Sequence, residues 1–307
     1  MVENNSDLFP ETYHFSHRAM ATVFEIIVFY GDEHYAKQAA WEAFQELDRL
    51  EQDLSRFIEN SDIARMNNLV ANESLRLGLD AFECLKQCAS LYEETGGIFD
   101  VTIGSLMKCW LNADKSLRNP SEEELVVAIE CTGMHRVQLD ETQQTVRLMN
   151  SPMQIDLGGF GKGYAVDRMA MLLRDWSLDS FLIHGGMSSV LAVGAPPGKQ
   201  GWSLSLSNPF NRNKTFEHIF LKDQSVSGSG LQKGQHIIDP RTGQPIENRR
   251  AAWAFTPAAA TSDALATAFM IMPLDEVKTY CQNHPDTKAI LILDEQNIKG
   301  EKVIEVN

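Results

Sequence analysis

Residues 154 to 163, Gln-Ile-Asp-Leu-Gly-Gly-Phe-Gly-Lys-Gly, constrain the fold more than any other stretch of the chain. A short apolar run carrying Asp156 enters a loop with Gly158, Gly159, Gly161 and Gly163, then leaves through Lys162 into an amphipathic segment from Tyr164 to Trp176. Glycines at this density let backbone groups approach a ligand that side chains would hold off, and the N-terminus of a following helix favours anions. The stretch reads as a phosphate or nucleotide site, with a ligand-free tight turn between a strand and a helix as the alternative. Two familiar glycine loops fail on spacing. A P-loop needs a glycine five residues before the Gly161-Lys162 pair and a Ser or Thr after it, where this chain has Asp156 and Gly163. A dinucleotide fingerprint counted from Gly159 meets Tyr164 where its third glycine belongs.

A chain of 307 residues with 43% hydrophobic residues has ample core for one large domain or two smaller ones. Its formal net charge of -15 argues against non-specific binding to nucleic acid or to anionic membranes, which an acidic surface repels. A small anionic ligand then needs a locally positive pocket or a metal. The five cysteines, Cys84, Cys88, Cys109, Cys131 and Cys281, form neither a zinc pattern nor an evident disulfide framework. Residues 1–17 are polar and acidic, without a signal-peptide core, and read as a flexible extension ahead of a domain over 18–307. No run approaches the ~20 apolar residues of a membrane span. The expectation is a cytoplasmic protein, or an exported one if a leader has been removed.

Strand and helix patterns alternate irregularly. Ala21 to Tyr30 is β-branched and aromatic and reads as a strand, while Ala40, Ala43, Phe44, Leu47, Leu50 and Leu54 recur at helical spacing. Ser61 or Asp62 caps a short helix, Asp80 a long one that stops at Thr95-Gly96-Gly97, and Ser121 with Glu124 forms a capping box. Residues 137–139 and 145–148 read as a hairpin. Strands follow at 181–184, 189–194, 202–206, 216–221, 252–256, 288–293 and 302–306, with helices at 261–270 and 275–283. Without a βαβ repeat, the fold class is α+β: a single compact domain with a mixed or antiparallel sheet and packed helices.

Asp263 and Thr267 stand four apart on the helix near Thr261, so their oxygens share a face. Both are hard ligands suited to Mg²⁺, although an Asp in a first helical turn also serves as a partner of the helix dipole. His236 precedes an Asp239-Pro240-Arg241-Thr242-Gly243 turn and reads either as a proton carrier or as a structural histidine; His184, beside Gly185-Gly186, reads the same way. Lys162 can neutralise a phosphate or pair with a carboxylate. Neither a Ser-His-Asp order nor an HExxH motif is present.

In this order, the chain carries Met20-Ala21-Thr22, Leu54-Ser55-Arg56-Phe57 with Ser61-Asp62-Ile63-Ala64, and Thr95 to Gly104. Then come Asp156-Leu157-Gly158-Gly159 with Lys162 to Asp167, Gly185-Gly186, Ser227-Gly228, His236 to Gly243, and Ser262 to Thr267. From about Met20 to Leu293 this series resembles the ApbE family of FAD:protein FMN transferases. The resemblance implies Mg²⁺-dependent transfer of FMN from FAD to a Thr or Ser hydroxyl of an acceptor protein, releasing AMP. FAD hydrolysis to FMN and AMP, or FAD binding without turnover, are the alternatives. It implies a metal held by Asp263, Thr267 and the Gly159 carbonyl, and flavin-nucleotide contacts at Met20, Phe57, Ile98, Phe99, Asp100, Asp156, Lys162 and Ile238. His236, with Asp263, would act at the reacting phosphate. Two departures stand out: Phe57 replaces a frequent tyrosine, and Met187 follows Gly185-Gly186 where an Asp or Asn is usual.

Overall fold

The computed structural model describes residues 11–112, 116–211, 214–231, 237–246, 249–293 and 302–307. Strands β1 (Glu11–Ala19) and β2 (Thr22–Tyr30) pair antiparallel around a two-residue turn, Met20 and Ala21, whose φ angles are 49° and 58°. Positive φ at both central residues matches the twist of a hairpin, and without glycine it costs roughly 1–2 kcal/mol per residue. Residues 11–17 are therefore sheet, and the rest of the expected extension, 1–10, lies outside the described residues. Tyr13 and Phe15 pack on the core and His17 stacks on Phe44, while Thr12, His14 and Ser16 are exposed. This alternation is hidden in sequence because the outward half is so polar.

Helix α1 (Glu33–Leu54) is capped by Asp32, whose side chain accepts from the Tyr35 N–H, and buries the stripe Ala36, Ala40, Ala43, Leu47, Leu50 and Leu54. Ser61 caps α2 (Asp62–Asn67) by accepting from the Ala64 N–H at 2.9 Å. Strand β3 (Ser74–Arg76) leads to α3 (Leu79–Glu94), where Gly78, not Asp80, holds the cap position. Asp80 is drawn inside by Arg49, Arg168 and Tyr164, charged and hydroxyl partners that local sequence does not reveal. Next come α4 (Gly104–Trp110), α5 (Glu122–Glu130) with the expected Ser121–Glu124 capping box, and the expected hairpin β4 (Val137–Asp140) and β5 (Thr145–Leu148).

Helix α6 (Gly161–Asp175) follows the glycine loop. Strands β6 (Phe181–Gly185), β7 (Ser189–Val193), β8 (Trp202–Ser207), β9 (Thr215–Leu221) and β10 (Gln224–Gly230) come next, then the short pair β11 (Ile238–Asp239) and β12 (Gln244–Pro245). The chain continues through β13 (Arg249–Thr256), α7 (Ala259–Ile271), α8 (Leu274–Asn283), β14 (Lys288–Leu293) and β15 (Lys302–Val306).

Eight strands form one sheet in the order β1-β2-β6-β7-β10-β13-β14-β15, and every ladder within it is antiparallel. The α+β class holds. On one face, β2 contributes Phe24, Ile26 and Val28 to a core shared with α1, α6 and α7. On the other, the β8–β9 hairpin lies over Leu182, Val226, Trp253 and Ile290, with Phe216 stacked on Trp253 at 5.4 Å between centroids. Ser225 to Gly230 carries no apolar alternation, yet it is an interior strand. Its two inward serines, Ser225 and Ser227, bond Ser262 of α7 at 2.7 Å each, so polar pairing replaces apolar packing there.

Candidate functional site

The glycine loop ends where the N-terminal turns of α6 and α7 meet. A Cβ on Gly163 would lie 2.1 Å from the Ala259 carbonyl oxygen, so only glycine permits this contact between the two helices. The contact brings the Gly163 N–H onto Asp263 Oδ2 at 3.2 Å. Lys162 Nζ also donates to Asp263 Oδ2 at 3.2 Å and to the Gly158 carbonyl at 3.1 Å. Asp263 is only 5% exposed. A buried carboxylate of this kind is held by its cation and its N–H donor together.

Thr267 stands one helical turn along α7, its Oγ1 3.5 Å from the Asp263 carbonyl. The space above Gly159 is the link to the loop: a Cβ there would sit 3.1 Å from Thr267 Oγ1 and 3.7 Å from Phe99 Cε2. Gly159, Lys162, Asp263, Thr267 and Phe99 thus form one group. Asp156 stands beside it. Its Oδ1 accepts from the Gly158 N–H at 2.7 Å, its Oδ2 pairs with Arg56 Nη1 at 3.1 Å, and its own N–H donates to the Val101 carbonyl at 2.7 Å.

Phe99 and Asp100 are delivered by the turn that ends α3. Gly96 and Gly97 take φ of 60° and 79°, and Thr95 Oγ1 donates to the Leu91 carbonyl while accepting from the Phe99 N–H. Ile98 is buried in the core. Asp100 points inward too: its Oδ1 accepts from the Thr102 N–H at 2.8 Å and from Thr102 Oγ1 at 2.6 Å. Burial, partly offset by those bonds, pushes its carboxyl up to about 6.

Met20, Phe57 and Ile238 have other neighbours. Phe57 is 84% exposed, with the Arg56 guanidinium 4.7 Å from its ring centroid. Met20 sits in the β1–β2 turn, beside which the Gly186 N–H donates to the Val23 carbonyl. Ile238 is buried with Leu106, Cys109 and Ala128 in a small cluster under α4 and α5. His236 lies outside the described residues. His184 is on β6 opposite Glu25, and burial pushes its imidazole down from its ordinary value.

Two charged residues near the group carried no assigned role in the sequence. Arg56, inside the Leu-Ser-Arg-Phe run, is the partner of Asp156. Asp167, inside the Lys162 to Asp167 run, accepts from two N–H groups of α7. Both stand inside family-like motifs, and only the fold shows what they touch.

The donor set suits a hard divalent cation. Asp263, the Thr267 hydroxyl and the Gly159 backbone offer oxygen in three chemical forms, and the Lys162 ammonium on Asp263 shows that the carboxylate attracts positive charge. Among the described residues there is no cluster of three His, Cys, Asp or Glu side chains, so oxygens from hydroxyl and backbone are needed beside the one carboxylate.

An antiparallel α+β fold thus brings a lysine, a buried carboxylate and a hydroxyl together at a glycine loop. The chain belongs to the ApbE family, whose model matches residues 20–291. It is 29% identical over 245 residues to the FAD:protein FMN transferase of Chlamydia trachomatis, covering 76% of this chain and 75% of that protein. The FAD:protein FMN transferase of Treponema pallidum is 25% identical over 283 residues, 84% of this chain and 78% of its own length. The apo crystal structure of the Pseudomonas stutzeri flavinyl transferase ApbE shares the fold, with a TM-score of 0.86 at 23% identity over 98% of this chain and 96% of that one.

Proposed function

We propose that this protein is an FAD:protein FMN transferase that uses Mg²⁺ and passes FMN to a Thr or Ser hydroxyl of an acceptor protein. One observation carries the reading: Lys162, Asp263, Thr267 and the Gly159 backbone are drawn to one place by the α6–α7 contact. Family membership and the names of the relatives support transfer of flavin from FAD to a protein.

The chemistry is one displacement at phosphorus. The acceptor oxygen forms a bond to the FMN phosphorus, the bridging P–O bond breaks, and AMP leaves with the electron pair. The hydroxyl proton passes to a base, for which His236 is the candidate. Such a displacement needs alignment and charge neutralisation more than covalent help. Asp263, Thr267 and the Gly159 carbonyl would hold Mg²⁺, which supplies positive charge to the pyrophosphate oxygens when bound. Lys162 contributes a second, fixed positive charge at the mouth of α6, where the helix N-terminus also favours anions. Phe99 and Asp156, beside the Gly158–Gly159 turn, form the wall against which the flavin nucleotide lies, with Met20 and Phe57 as outer contacts and Ile98, Asp100 and Ile238, whose side chains are buried, contributing backbone alone.

The test is incubation with FAD and Mg²⁺, with and without a Thr-bearing peptide, followed by assay of AMP, free FMN and peptide-bound flavin. Flavin on the peptide with equimolar AMP is expected. AMP and free FMN alone would make the protein an FAD pyrophosphatase, and tight FAD binding without AMP under any metal would make it a binding protein.

A further inference from the structure

Helix α7 carries Asp263 and Thr267 but supplies no cap of its own. Its cap position is Ala258, without a side-chain oxygen, and its first turn holds no acid. The acceptor comes from α6 instead. Asp167 Oδ1 accepts from the Ala259 N–H at 2.7 Å, and Oδ2 accepts from the Ala260 N–H at 2.8 Å. Asp167 lies about one helical turn beyond Gly163, and Gly163 donates its N–H to Asp263 Oδ2 at 3.2 Å.

The two links are reciprocal. An acid on α6 holds backbone N–H groups of α7, and an acid on α7 holds a backbone N–H of α6, on either side of the Gly163–Ala259 contact. Sliding one helix along the other breaks at least one of them. Rotation of α7 is opposed separately by Ser262, next to Asp263, which is bonded to Ser225 and Ser227 of β10. Both oxygens of Asp167 are committed, so neither an amide nor a longer acid reproduces its geometry.

We propose that Asp167 is a positioning residue that sets α7 against α6 so that the oxygens of Asp263 and Thr267 meet the Gly159 turn. This rests on the reading that those oxygens hold Mg²⁺. Asp167→Asn keeps one acceptor and turns an NH₂ toward the other N–H, which shifts the N-terminus of α7. A misplacement of about 1 Å in such a site can cost on the order of 100-fold in rate.

Capping and positioning can be separated at Ala258. Its φ of -106° and ψ of 137° already suit a capping residue, so Ala258→Asp gives α7 a local cap with no tie to α6. The experiment compares wild type, Asp167→Asn, and Asp167→Asn with Ala258→Asp, measuring thermal midpoint, FAD affinity by fluorescence, Mg²⁺ affinity by calorimetry, and Mg²⁺-dependent AMP release. Asp167→Asn is expected to weaken Mg²⁺ binding by roughly tenfold or more and to lower kcat, with FAD affinity within about twofold. The double variant is expected to recover thermal stability while its Mg²⁺ affinity stays weak. Recovery of wild-type Mg²⁺ affinity in the double variant, or its retention in Asp167→Asn, would overturn the proposal. If the wild type itself binds no Mg²⁺ and Asp263→Asn changes nothing, the metal reading has failed instead, and the two failures are distinct.

Discussion

Tyr164 donates its hydroxyl to Asp80 Oδ1 at 2.7 Å, joining the helix that begins with the glycine-loop lysine to the helix that ends in the Phe99 turn. Asp80 also takes Arg49 at 2.6 Å and Arg168 at 3.3 Å, and Glu46 bonds both arginines at 2.8 and 2.9 Å. Burial raises the Asp80 carboxyl, but the Tyr164 hydroxyl and then the two arginines hold it below its ordinary value, and burial with this acid as partner pushes the Tyr164 phenol well up. Tyr164→Phe removes the only neutral member of the group and leaves Asp80 with its two cations. A lost hydrogen bond to a charged group is worth roughly 1.5–3 kcal/mol. We expect Tyr164→Phe to lower unfolding stability by about that amount in urea denaturation, and Asp80→Ala by more, because it takes one partner from each of two guanidinium groups and leaves the buried Tyr164 hydroxyl unpaired. An unchanged Tyr164→Phe midpoint would show the bond to be idle.

Lys162 makes a second test of the site through opposite effects on binding and turnover. Its ammonium already satisfies Asp263 and so competes with any cation there. Lys162→Met should therefore tighten Mg²⁺ binding while reducing AMP release by on the order of 100-fold, since one positive charge near the phosphates is lost. Calorimetry and steady-state kinetics on the same preparation read both. Weaker Mg²⁺ binding in this variant would mean that Lys162 supports the cation site and does not compete with it.

Arg249 shows how α7 is held at its other end. It sits at a register shift between β13 and β14, only 8% exposed, and donates Nη1 to the Phe269 carbonyl and to that of Met272, the latter at 2.7 Å. A cation at a helix C-terminus completes unpaired carbonyls and opposes the helix dipole. Burial nonetheless pushes its pKa down to about 10. Arg249→Met should destabilise the protein by roughly 2–4 kcal/mol by leaving buried carbonyls bare, with Arg249→Lys recovering part of the loss. Chemical denaturation of both variants measures this, and equal loss in the two would point to side-chain packing as the cause.

What was legible in the sequence follows from the range over which each signal acts. The α1 stripe, the Ser121–Glu124 box and the β4–β5 hairpin are set by neighbours within a turn or a hairpin, and the structure has them. The pair Asp263 and Thr267 was readable because four residues span one helical turn, and its convergence with Gly159 and Lys162 came from ordered resemblance. Strand β10 was not readable, because Ser225 and Ser227 are stabilised by a serine that follows thirty-five residues or more later in the chain. Asp80 looked like a local cap and is a long-range anchor. Arg56 and Asp167 are ordinary charged residues until the fold shows Asp156 and the N–H groups of α7 beside them.

Asp100 gives the protein a distinct acid-side signature. Its carboxyl is 7% exposed and faces Thr102, whose N–H and hydroxyl both reach Oδ1. Desolvation outweighs these bonds and lifts the group from its ordinary 3.8 to about 6. The folded state therefore binds more protons than the unfolded state between those values, so this group's contribution is fully present below the lower one and is lost as pH rises through the upper. A shift of about two pH units corresponds to roughly 3 kcal/mol. Asp100→Asn resembles the protonated acid and keeps an Oδ1 acceptor for Thr102, so it should lack this slope. The difference in unfolding free energy between Asp100→Asn and wild type should move in the variant's favour as pH rises from about 4 to about 7. Urea midpoints at several pH values within that range measure it, and a difference that stays constant with pH would show that Asp100 titrates as an ordinary carboxylate.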